Sequence, residues 1–162
     1  MAEILTTDSK GTDALQLERL SRRLNGLYAL VLETERQFHP GIGGMALLDR
    51  LLKDPEWAWL RPLSRLIADI DHVLSQRDAI TKHEHAVAAT HIRGLVFNAG
   101  EFIDEGFLAR YRPLLQLNPA LASAHGELKG LLNDSPYEPE DEAERLHSRH
   151  VWAIRREQSR GM

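Results

Sequence analysis

His147 and His150 stand three residues apart in a segment patterned as a helix, so both rings lie one turn apart and can reach a single metal ion. Two imidazoles supply half of a tetrahedral zinc site or part of an iron site. Glu144-Arg145-Leu146-His147 also has the Glu-x-x-His spacing that carboxylate-bound iron bundles use. The full di-iron arrangement needs a second such pair and two more inward glutamates, and no other long helical segment carries the pair. Asp69-Ile70-Asp71-His72 has a related spacing, but His72 falls opposite the apolar seam of its segment. A mononuclear site for a transition metal, zinc or iron, is the simpler expectation: His147 and His150 with one ligand from Glu84, His91 or Glu35. Glu84 and His91 cannot both join, because seven helical residues set them ~10.5 Å apart along the axis.

These residues are notable because they occupy positions where apolar side chains are expected. Glu35 continues the stripe that runs through Val31 to Phe38. Glu84, His91 and Asn98 recur every seven residues within the stripe of Ile80, Val87, Leu95 and Phe102. His147 and His150 share a face with Ala143 and Ile154. A buried carboxylate or imidazole needs a partner inside the protein or bears a desolvation cost of several kcal/mol. One polar cluster, of His91, His147 and His150 with Glu84 or Glu35, is therefore expected between three helices. Two functions follow from it. The leading one is a non-enzymatic helical interaction or structural module whose inner polar network fixes helix register. The alternative is a transition-metal-binding bundle. No catalytic residue can be assigned, and enzymatic activity is left open.

Other chemistries are poorly supplied. The chain has no cysteine, which excludes disulfides, thiolate nucleophiles and thiolate zinc sites. Gly41-Ile42-Gly43-Gly44 lacks the lysine and the preceding strand of a phosphate-binding loop. His83-Glu84-His85 points to three sides of a helix, and zinc-protease histidines are four apart. A net charge of −4 argues against a nucleic-acid partner. Charges interrupt every apolar cluster, so no membrane span is expected. The start, Met-Ala-Glu-Ile-Leu-Thr-Thr-Asp-Ser-Lys, has neither the basic flank nor the apolar run of a secretory signal, which points to a cytoplasmic protein.

The elements that must position these residues are helices. Three- and four-residue apolar spacing predicts long helices over Asp13–Phe38, Pro62–Gln76, Asp78–Phe102 and Pro139–Gln158. Shorter ones are expected over Met45–Leu52, Glu105–Leu117 and Pro119–Leu132, with His39-Pro40-Gly41 ending the first helix and Asn118-Pro119 opening the last of the short ones. Neither β-type alternation nor hairpin turn chemistry occurs. The fold expected is an all-α bundle, four long helices with short additions, forming a single domain over 1–162 whose residues 1–12 and 159–162 fray. Leu24, Val31, Leu66, Ile70, Val87, Leu95 and Ile154 are the expected core. Trp57 and Trp59 are expected to lid it, and an apolar surplus at those tryptophans and at Leu128, Leu131 and Leu132 favours a homodimer.

The stretch Asp54-Pro55-Glu56-Trp57-Ala58-Trp59-Leu60-Arg61-Pro62-Leu63-Ser64 resembles an acidic-proline-aromatic-Ala-Trp-Leu-Arg-Pro-Leu-Ser pattern of uncharacterised bacterial proteins. The likeness extends over about a third of the chain. It implies a bacterial, cytoplasmic protein and carries over no catalytic or binding residue.

Overall fold

A computed structural model describes residues 2–38, 46, 49, 53–76 and 80–160; of residues 2–10 and 158–160 it describes the backbone alone. The order is α1 (Ala2–Gln37), a 3-10 helix (Pro55–Leu60), α2 (Arg61–Ser75), α3 (Lys82–Phe97), α4 (Glu105–Leu117), α5 (Pro119–Asn133) and α6 (Glu142–Arg160). The described residues contain no strand, so the chain is an all-α bundle. The first helix begins at Ala2 rather than Asp13. The expected stop at His39-Pro40-Gly41, the Gly41–Gly44 loop and most of the short helix over Met45–Leu52 lie outside the described residues.

Local chemistry sets the helix starts. Asp54 accepts from the Glu56 amide ahead of the 3-10 helix, Asp104 from the Phe107 amide at 2.9 Å, and Asn118 from the Ala120 amide at 3.0 Å with Pro119 next in line. Asp141 accepts from the Ala143 amide at 2.9 Å, so α6 starts at Glu142 and not at Pro139. The C-terminal carbonyls of α5 are answered from another helix. Arg93 of α3 donates to the carbonyls of Leu132, Ser135 and Pro136 at 2.7 to 3.2 Å and lies over the Tyr137 ring.

Helix α1 packs against α2, α3, α4 and α5, while α6 lies on α2 and α3. The face of α1 carrying Leu17, Leu20, Leu24, Leu27 and Val31 is fully buried, and the seam Leu63, Leu66, Ile67, Ile70 and Val73 of α2 meets the same core. On α3, every residue from Glu84 to Ala89 is buried, because this helix has neighbours on all sides and its alanines let them approach. Trp57 is buried in the core, and half-buried Trp59 leans on Phe107, so the tryptophans lid the core as expected. Leu128 and Leu132 are buried and Leu131 is partly so. These side chains are thus packed largely within the chain itself.

One expected core residue, Ile154, is not in the core, nor is Phe38 at the end of the α1 stripe. Phe38 is 56% and Ile154 43% exposed. Phe38 lies just beyond the end of α1, past the last covered turn; Ile154 is displaced because α6 is rotated, as described below. Among the described residues, no helix is long and apolar enough to cross a membrane.

Candidate functional site

The C-terminus of α3 builds one wall of the most distinctive cavity. Asn98 takes a left-handed conformation (φ 55°), its amide and that of Ala99 bond back to the Arg93 carbonyl, and Gly100 has φ 87°. Asparagine and glycine tolerate such angles, so the helix stops at Phe97 rather than at Phe102, and the chain doubles back. Phe102 then stacks on His91 with ring centroids 3.9 Å apart. Gly94 makes this approach feasible: a Cβ there would lie 2.5 Å from the Phe102 carbonyl oxygen. Asn98, expected on the inner face of the helix, is instead its exposed cap.

The opposite wall comes from α6. Its inner face carries Ser148 and Trp152, both buried, flanked by Arg149, Arg155 and Arg156. Each arginine meets a buried carboxylate on another element. Arg155 Nη1 is 2.9 Å from Glu84 Oε2, Arg156 Nη1 is 3.6 Å from Asp69 Oδ2, and Arg149 grips Glu138 with two N–H groups while donating a third to Glu101 at 2.8 Å. The hydrogen bond from Arg149 holds the Glu101 carboxyl below its ordinary range. Arg149 also covers the outer face of Phe102, so that ring is held between a guanidinium and His91.

Between these walls lies a cavity of about 390 Å³, bounded by α2, α3, the 98–104 loop and α6. Arg65, Asp69, His91, Glu101, Phe102 and Arg156 line it, with Leu66 and Leu95 beneath. Burial, and then the positive charges of Arg156 and Arg149, push the His91 imidazole down to about 4. The ring is therefore neutral at pH 7, with one N–H to donate and one nitrogen to accept.

Glu84 and Glu35 are buried as expected. Glu84 is held by three groups: it accepts from the Thr81 amide and hydroxyl, completing a reciprocal cap at the start of α3, and pairs with Arg155. Glu35 is near the end of α1 and is not among the residues lining the His91 cavity. His147 and His150 are exposed, on the side of α6 away from Trp152 and Ser148. The expected cluster is thus not formed: His91 is half-buried in the cavity and both α6 histidines face solvent. Among the described residues, no three histidine, aspartate or glutamate side chains converge as a ligand set.

Two further histidines have partners on other helices that sequence reasoning did not single out. His85, fully buried, places Nδ1 3.0 Å from Asp13 Oδ1 and joins α3 to α1. His125 Nδ1 meets the Tyr111 hydroxyl at 2.8 Å, with Phe97 packed on the same imidazole, and burial holds both the Tyr111 hydroxyl up and the His125 ring down from their ordinary ranges. Each pair joins two helices, α3 to α1 and α4 to α5, and fixes their packing. Compared with known proteins, the chain matches no family model, no curated protein and no solved structure.

Proposed function

We propose that the chain is a non-enzymatic helical interaction module that pairs with a second copy of itself through the solvent side of α6. The observation that carries this reading is the face formed by Ala143, Leu146, His147, His150 and Ile154, in which Leu146 is 58% and Ile154 43% exposed. Leu146 and Ile154 each lie four residues from His150. In an antiparallel pairing about a two-fold axis at His150, Leu146 of either copy therefore meets Ile154 of the other, the self-complementary pattern of an isologous interface. The inner polar groups support the same reading. Glu84 and Asp69 are engaged by arginines that cross-link helices, and Glu138 by an arginine that ties the loop before α6 to that helix, a structural use of charge. A cysteine-free chain of this kind suits a reducing cytoplasm.

Sedimentation velocity on the wild type and on Leu146→Glu/Ile154→Glu tests it. The expected result is a dimer at tens of micromolar that the double variant converts to monomer; a wild type that stays monomeric, or a dimer indifferent to both charges, rejects it.

Metal binding is the second reading, favoured by the exposure of His147 and His150 one turn apart. Two copies paired about His150 would bring four imidazoles together, the number a tetrahedral zinc ion takes. Zinc should then tighten dimerisation, and His147→Ala should remove the zinc response while sparing association in chelator.

A further inference from the structure

We propose that the cavity between α2, α3, the 98–104 loop and α6 binds a small organic monocarboxylate, its charge set between Arg65 and Arg156 and its apolar body against Leu66, Leu95 and Phe102. The inference is independent of the self-association reading, which concerns the other side of α6.

Charge on the walls selects the ligand class. The cavity's three carboxylates are already engaged: Glu101 by Arg149, Asp104 by the Phe107 amide and Asp69 by Arg156. Arg65 is exposed at the rim and, among the described residues, has no ion-pair partner. Arg156 faces Asp69 across 3.6 Å, and a guanidinium with five N–H donors can serve a second carboxylate beside the first. Neutral His91 has no hydrogen bond to the protein among the described residues and offers one N–H to the same anion. A dianion such as phosphate is disfavoured, because it would add two charges beside Asp69, Glu101 and Asp104. A planar monoanion needs only the fork of one or two arginines.

Size and surface agree. A volume of about 390 Å³ falls at the small end of ligand pockets, and the wall combines the apolar Leu66, Leu95 and Phe102 with convergent charged groups that can fix a ligand's orientation. The faces of Phe102 are covered by Arg149 and His91, so the stacked pair presents ring edges to the cavity, against which a short organic body can pack.

The test titrates the full-length protein with phenylacetate and hexanoate, with 2-phenylethanol and hexanol as neutral counterparts and inorganic phosphate as the competing anion. Binding is read by calorimetry and by the His91 imidazole signals in NMR. Saturable one-to-one binding of at least one carboxylate is expected, weakened about tenfold or more in the matching alcohol and about tenfold by Arg65→Gln. The urea midpoint of Arg65→Gln should be unchanged, since that side chain is exposed. Around His91 stand Arg65, Asp69 and Asp104, Glu101, Arg149 and Arg156; a bound anion offsets the cations, so the imidazole should titrate at higher pH when the site is filled. The proposal is overturned if neither carboxylate saturates at millimolar concentration, if the alcohols bind as well as the acids, if Arg65→Gln binds like the wild type, or if phosphate binds more tightly than both carboxylates.

Discussion

Replacing Glu84 with alanine removes two supports at once, and their sizes can be worked out separately. One oxygen accepts from the Thr81 amide and hydroxyl at 3.3 and 3.1 Å and closes the cap of α3; the other stands 2.9 Å from Arg155. Losing a cap costs about 1 kcal/mol. Breaking a buried ion pair by removing one partner costs about 3 to 5 kcal/mol, because the remaining charge stays dehydrated. The Arg155 side chain is 15% exposed and can partly rehydrate, so the low end applies and the sum is about 4 kcal/mol. With a urea dependence of about 2 kcal/mol per molar for a chain of this size, the unfolding midpoint followed by helical circular dichroism should fall by about 2 M. Arg155→Met should cost about 3 kcal/mol, since Glu84 is then the uncompensated charge. In the double variant neither charge remains, and the combined loss should fall at least ~2 kcal/mol short of the sum of the singles. A Glu84→Ala loss under ~1 kcal/mol, or losses that simply add, would refute the buried pair and with it the inward rotation of the α6 arginines.

His91 should make stability depend on pH. Its folded value, about 4, lies below the ordinary 6.5, so the unfolded chain takes up a proton first as pH falls. Stability is then fully present above 6.5 and lost between 6.5 and about 4, on the order of 3 kcal/mol in all, and His91→Gln should remove that part of the slope in urea midpoints measured from pH 7 to 4. Gly94→Ala should push Phe102 off His91, costing ~1 to 3 kcal/mol by overpacking and returning the His91 NMR titration toward its ordinary value; a variant with an unchanged His91 titration would contradict the close approach. Ile70→Ala should lose ~2 to 5 kcal/mol in urea unfolding while Ile154→Ala stays within ~0.5 kcal/mol, and equal losses would show that α6 is rotated differently.

Wherever apolar spacing was unambiguous, the fold was legible. Leu17 to Val31 and Leu63 to Val73 read as helix faces and pack as such, and Asn118-Pro119 marks a helix start in sequence and in structure. The site was legible only in part. Glu84 was recognised as an inward carboxylate, but Thr81-Lys82-His83-Glu84 is also a capping-box pattern, which would have moved the start of α3 from Asp78 to Lys82 and supplied one of its partners. Asn98 and Gly100 signal a left-handed turn, and reading them so would have ended the helix before Phe102. The stacking of Phe102 on His91 and the placement of Arg65 and Arg156 on the wall of one cavity depend on how three helices and a loop converge. No local spacing encodes that convergence.

The rotation of α6 shows why hydrophobic periodicity failed there. The helix has two faces that could go inward, one with Leu146, Ile154 and the two histidines, the other with Trp152, Ser148 and the arginines. Burying Leu146 and Ile154 would contribute at most ~1.5 to 3 kcal/mol each. Trp152 alone, with ~150 to 250 Å² to bury at ~25 cal/mol per Å², contributes ~4 to 6 kcal/mol, so the apolar contest is nearly a tie. Charge breaks it. Glu84 and Asp69 sit on the buried sides of α3 and α2, and turning the arginines outward would leave both without cations at ~3 to 5 kcal/mol apiece. The observed rotation is therefore favoured by several kcal/mol, and it follows from carboxylates on other helices rather than from the pattern of α6 itself. The same rotation that satisfies Glu84 and Asp69 sets Arg156 on the wall of the His91 cavity and leaves Leu146, His147, His150 and Ile154 in solvent, so one electrostatic choice creates both surfaces to which a function is assigned.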